Sequence, residues 1–184
     1  MGHGVSAGAE VAEGGSCREV ATEWVPTAAV EKVEPTRLDG VELGMEALAA
    51  TEDAGALAAA LAAFPARYVE WIARQRGTKL DGKRAEAAAI LLDEAKHAFA
   101  RIERGIALLK GPDVFKAFRV ANRAMARAAR RRSARAANVA PEAVEPPRWR
   151  PFQLAFLLMN LEGIARPGSS DREAVDLLFF PTGG

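Results

Sequence analysis

Cysteine is nearly missing from this chain: Cys17 is the single one among 184 residues. That excludes a disulfide within the chain and any zinc site built on cysteines. The two histidines, His3 and His97, stand far apart, so neither a metal cluster nor histidine-based catalysis can be assigned. Aromatic residues are scarce, at 7%, and alanine supplies much of the 49% that is apolar, so the core per residue is thin. No basic patch followed by an apolar stretch opens the chain, which gives no sign of a signal peptide. The longest apolar runs, around 54–64 and 154–159, are too short to span a bilayer. The expectation is a cytoplasmic protein without a membrane partner. The length suits one domain with a real core and is too small for a two-lobed ATPase motor.

The net charge of +1 hides an uneven distribution. Residues 1–63 carry 11 acidic and 3 basic side chains, a net of −8, and residues 64–184 carry 13 acidic and 22 basic ones, a net of +9. An acidic leader therefore precedes a basic body suited to a polyanion.

Along the chain, residues 1–44 read as a flexible acidic leader. The first fifteen are rich in Gly, Ala and Glu and are expected to be disordered, and 16–44 to be irregular with one short strand near Val30–Val33. Residues 45–137 read as a helical accessory domain. Thr51-Glu-Asp starts a helix running to Phe64, and Pro65 begins another striped by Tyr68, Trp71 and Ile72. From Asp81 to Lys110, Ala88, Leu91, Leu92, Ala95, Phe99, Ile102, Ile106 and Leu109 recur at three- and four-residue steps, and Gly111-Pro112 ends the run. Such a stripe needs partner helices, so a bundle is expected. Asp93-Glu94-Ala95-Lys96-His97 invites comparison with a helicase Asp-Glu-Ala-His box, but it lies on this amphipathic helix and reads as a solvated charged face.

A further helix spans Asp113 to about Ala137. Phe115, Phe118, Ala121, Ala124 and Met125 can face the core. Arg119, Arg123, Arg127, Arg130, Arg131 and Arg135 form a basic stripe, with Arg132 beside it. The stripe can track nucleic-acid phosphates, and without interleaved aromatics it implies no base stacking. Residues 138–150, with three prolines, read as a linker.

Residues 151–184 read as the start of a nucleotide-binding domain. Trp149-Arg-Pro-Phe-Gln153 opens an apolar helix, with Pro151 at its first position and Gly163 at its stop. Val175–Phe180 reads as a buried parallel strand, and Pro181-Thr182-Gly183-Gly184 supplies the turn chemistry of a phosphate loop. Backbone N–H groups freed by glycine approach phosphate there, and a following Gly-Lys-Thr would complete the motif. The sequence stops before that lysine, so it is expected to be the front piece of a longer protein.

The blocks Phe115–Met125, Trp149–Leu161 and Val175–Gly184 together resemble the DrmA family, the large helicase-type component of the DISARM phage-defence system. The resemblance covers roughly Phe64 to Gly184 and is strongest after Arg148. It implies a mainly α chain: a bundle-like amino-terminal region, then the first helix and first strand of a RecA-like α/β ATPase domain. It implies that Gln153 reads adenine in the manner of superfamily-2 helicases, that ATP and Mg are bound by the full-length parent, and that DNA and other defence proteins are its partners. The isolated chain is then expected to be inactive. The alternative is a free-standing helical module that binds nucleic acid or protein.

Overall fold

The computed structural model describes residues 6–24, 38–173 and 175–176. They fall in two compact units, one holding residues 6–24 and the other residues 38–176.

The first unit is an antiparallel hairpin of β1 (Ser6–Val11) and β2 (Cys17–Trp24), where irregular structure is expected from composition. The turn accounts for it. Ala12 N–H donates to Ser16 O at 2.9 Å, and Gly14 and Gly15 take φ values of +128° and +80° that a β-carbon would strain. Val11 and Val20 remain exposed and Glu10 faces Glu19 across the strands, so the hairpin gains little from side-chain packing. The strand expected at Val30–Val33 lies outside the described residues.

The second unit is mainly helical. α1 (Met45–Ala50), α2 (Ala54–Leu61), α3 (Ala63–Arg76), α4 (Gly82–Leu108), α5 (Pro112–Ala137) and α6 (Pro151–Ala165) follow in order. Mainly α is therefore the observed class. The cap of α2 is Asp53, whose carboxylate accepts from Ala56 N–H at 2.7 Å. Thr51 instead closes α1, its hydroxyl donating to Ala47 O at 3.0 Å. α5 begins on Pro112 and ends with Asn138 at φ 54°, where Val139 N–H returns to Ala134 O at 3.0 Å.

One core joins these helices. Leu48, Leu57, Leu61, Leu109, Leu154 and Leu158 have no exposed surface, and Phe64, Ile102, Phe118 and Trp149 close around them. Val41 and Leu43 belong to the same cluster, so the helical unit begins before Met45. α4 packs on α3 and α6, and α1 on α5. Ala54–Arg76, α2 and α3 together, is long and apolar enough by composition to cross a membrane, contrary to the shorter run read in the sequence. Leu57, Leu61, Phe64 and Ile72 of that stretch are buried in the helical core, which the same composition fits.

Two apolar stripes differ from expectation. On α4, Leu92, Ile102 and Ile106 are buried, but Leu91 is 68% exposed. α3 packs on α4, and Ile72 and Leu92 are both buried while Leu91 is not. On α5 the buried row is Phe118, Asn122, Ala126 and Ala134, whereas Ala121, Ala124 and Met125 face solvent. The row steps by four from Phe118, and a polar residue occupies it because partners satisfy its amide.

The expected linker 138–150 is pinned to the helices. Met45 N–H donates to Pro147 O at 3.0 Å and Trp149 N–H to Leu43 O at 2.8 Å, a short bridge about Gly44 and Arg148. α6 then lies against α4 in the same compact unit.

Candidate functional site

Three places in the helical unit carry the residues of interest. The first is the start of α6. Trp149 is buried, and its indole N–H donates to Asn122 Oδ1 at 2.7 Å. The Asn122 amide donates in turn to Phe118 O at 2.9 Å. This fixes where α6 leaves the core. Pro151 suits the first turn, having no N–H to satisfy. Gln153 is exposed, and its Oε1 accepts from Arg150 N–H at 3.2 Å. The amide thus caps the helix. Among the described residues, one acceptor lone pair and both N–H donors of that amide have no partner.

The second place follows the carboxyl end of α6. Arg101 of α4 holds Asp176 through both carboxylate oxygens, at 2.5 and 2.8 Å. Its Nε sits 3.5 Å from Asp171 Oδ2, an ion-pair contact without hydrogen-bond geometry. Arg104 donates to Glu162 at 2.5 Å and to Asp171 at 2.9 Å. Five charged groups therefore tie residues 162–176 to α4. An amphipathic helix is expected to hold its charges on the face opposite its apolar stripe. Arg101, next to buried Ile102, instead lies at the edge of the α4–α6 contact. The signal available was the pairing of two arginines three apart with acids beyond Gly163.

The hydrogen bond from Arg101, assisted by its charge and by Asn160, holds the Asp176 carboxyl below the usual carboxylate range against opposing desolvation. A folded pKa below the unfolded one means stability present above pH about 4 and lost as pH falls through the folded value. Asp176→Asn should therefore be less stable than the parent at pH 6, with the gap closing towards pH 3. Urea titrations at the two pH values measure it, and a gap independent of pH would remove Asp176 as the source.

Val175, the first residue of the expected strand, is 95% exposed, and neither it nor Asp176 is in a strand. The rest of that strand, with Pro181, Thr182, Gly183 and Gly184, lies outside the described residues.

The third place is α5, where the structure divides the arginine stripe. Arg130 is built into the fold. It holds the Glu46 carboxylate through both nitrogens of one edge and donates to Pro141 O at 3.1 Å and Val144 O at 2.7 Å. The Arg130 hydrogen bond and charge lower the Glu46 pKa. Arg119 donates to Ala49 O at 3.0 Å and lies over the Phe115 ring. In both members of the expected nucleic-acid stripe the guanidinium group serves carbonyls or a carboxylate of the chain. Arg123, Arg127, Arg131, Arg132 and Arg135 stay exposed. Asp93 and His97 are on the exposed face of α4, and Asp93 pairs with Arg76 at 2.5 Å.

These features define a helical unit with a capped, solvent-facing glutamine at one helix start and an arginine face on another. No family model matches the chain. The chain is similar to the DISARM protein DrmA of Bacillus paralicheniformis, 39% identical over 129 residues. The match covers 64% of this chain and 11% of that protein, so the chain spans about a tenth of its relative's length. The resemblance read from the sequence is to this same protein.

Proposed function

We propose that the chain serves as the amino-terminal region of an ATP-dependent DNA helicase or translocase in a DISARM-type phage-defence system. The similarity to DrmA is the observation that carries this reading. The helical unit would act as an accessory domain beside the motor, in the cytoplasm, with other defence proteins as partners and no membrane. Gln153 would contact adenine, supported by its exposed amide and by the Arg150 N–H that fixes its orientation. Pro181, Thr182, Gly183 and Gly184 would open the phosphate cradle, supported by their turn chemistry. ATP and Mg would be bound by the whole protein. A lysine and a hydroxyl beyond Gly184 would supply charge to the phosphates and a ligand to the metal.

Two measurements test this. The isolated chain should hydrolyse no ATP above background, and turnover abolished by Gln153→Ala would make it a self-sufficient enzyme. The matched residues of this chain, exchanged into the Bacillus DrmA, should retain whatever ATP hydrolysis that protein shows. Loss in a soluble, folded chimera would count against a shared role. A free-standing binding module is favoured only by the exposed arginines of α5. Such a module would extend through α6, because Trp149, Leu154 and Leu158 share the core of the preceding helices.

A further inference from the structure

We infer that one face of α5 is a docking rail for the phosphate backbone of duplex DNA, formed by Arg123, Arg127, Arg131 and Arg135 with Arg132 beside them. This rests on the proposed function and deepens it by naming a surface and the form of DNA it takes, but it does not depend on nucleotide chemistry, so ATP has no part in its test.

Two parallel rows run along α5. The inward row is Phe118, Asn122, Ala126, Arg130 and Ala134, buried or bonded to the rest of the unit. The row one residue further on is Arg119, Arg123, Arg127, Arg131 and Arg135, about 100° round the helix. Packing of the first row therefore fixes the direction of the second. Arg119 is drawn inward at its end. The other four are exposed and, among the described residues, have neither an ion-pair nor a hydrogen-bond partner.

An ordinary solvated face interleaves both signs of charge. α5 has eight basic residues and a single acid, Asp113. Its four free arginines are spaced four apart, so each neighbouring pair repels along the helix. A helix of this kind works against itself until a polyanion lies on it. Successive guanidinium groups are about 6 Å apart along the axis and the row spans about 18 Å. With one phosphate every 3.4 Å of duplex along each strand, that span faces roughly five phosphates of one strand. Exposed Ala124 and Ala128, in the adjoining row that leads to Arg132, leave nothing tall to hold a backbone off. A single strand is the poorer fit. Binding it leans on aromatic stacking, and the arginine row has no aromatic residue.

Fluorescence anisotropy of the full chain with a labelled 24-base-pair duplex of arbitrary sequence, from 50 to 300 mM NaCl, provides the test. Four neutralised phosphates predict a log–log salt slope of roughly −3 to −4. Replacing Arg123, Arg127, Arg131 and Arg135 together by Gln should weaken binding at 50 mM at least about tenfold and flatten the slope, whereas replacement by Lys should hold affinity within about threefold. Removing four exposed charges elsewhere (Arg74→Gln, Lys79→Gln, Lys83→Gln and Arg84→Gln) should leave affinity within about threefold, because they lie off the row. The Gln variant should melt at or above the parent in low salt, since the repulsion along the row is gone. Equal loss in the off-row variant, tighter binding to a single strand than to the duplex, equal affinity for polyglutamate, or no binding at 50 mM NaCl would each overturn the inference.

Discussion

Gly105→Ala should destabilise the helical unit by about 2 kcal/mol net, although alanine is the better helix former. In an exposed helix interior the exchange would stabilise by about 1 kcal/mol. Here α6 crosses α4 so closely that a β-carbon at Gly105 would lie 2.0 Å from the Leu158 carbonyl oxygen and 2.8 Å from its carbon. Both atoms are backbone, so no side chain can swing aside and the two helices must separate. Overpacking of that kind costs about 3 kcal/mol and outweighs the propensity gain. For a unit of this size the melting temperature should fall by roughly 6 °C. Gly163→Ala is the internal control, because its nearest neighbours would be 3.4 Å away and it should be close to neutral. Urea and thermal unfolding of both variants measure the contrast. A Gly105→Ala protein as stable as the parent would mean that α4 and α6 do not meet as closely as described. The Arg101–Asp176 and Arg104–Glu162 contacts would then lose the spacing on which they depend.

The same crossing shows what the sequence could and could not convey. Helix existence was legible, because periodicity and breakers such as Gly111-Pro112 are local. Gly105 was silent, since a glycine inside a helical run reads as a weakness until the neighbour that needs it is known. The long range of α5 was read correctly, but its inward face was not. Ala121, Ala124 and Met125 are more apolar than Asn122, and only a partner distant in sequence reverses the preference. The arginine stripe was visible as a stripe. Which members were already engaged depended on Glu46, Ala49, Pro141 and Val144, in segments that carry no mark of facing α5. Residues 138–150 looked like a linker because proline-rich composition reports the absence of helix. It does not report the hydrogen bonds that hold an irregular segment in place. The motif that singles out Gln153 is local, and its cap to Arg150 follows from its place as the third residue of α6, which the sequence does contain.

Asn122→Ala should be the other large loss, about 3 kcal/mol. Asn122 is fully buried and is the acceptor for the indole N–H of Trp149, itself 8% exposed. Truncation leaves that donor in a dry site with nothing to accept it, which costs more than the net worth of one hydrogen bond. A small cavity adds to the penalty. The Phe118 carbonyl suffers less, because it lies within the helical ladder of α5. Trp149→Phe removes the stranded donor, so Asn122→Leu combined with Trp149→Phe should be less destabilised than the sum of the two single changes, by about 1–2 kcal/mol. Denaturant midpoints for the four proteins of the cycle measure this coupling. Strict additivity would mean that the bond contributes nothing and that Asn122 is buried for another reason. The consequence reaches beyond stability. Trp149 is the last residue held by the core before Arg150 and Pro151 start α6, and Gln153 is two residues into that helix. Proposed adenine contact and helix placement therefore rest on one amide. A protein carrying Asn122→Ala should lose the fixed direction of the Gln153 side chain even at temperatures where the helices themselves remain formed.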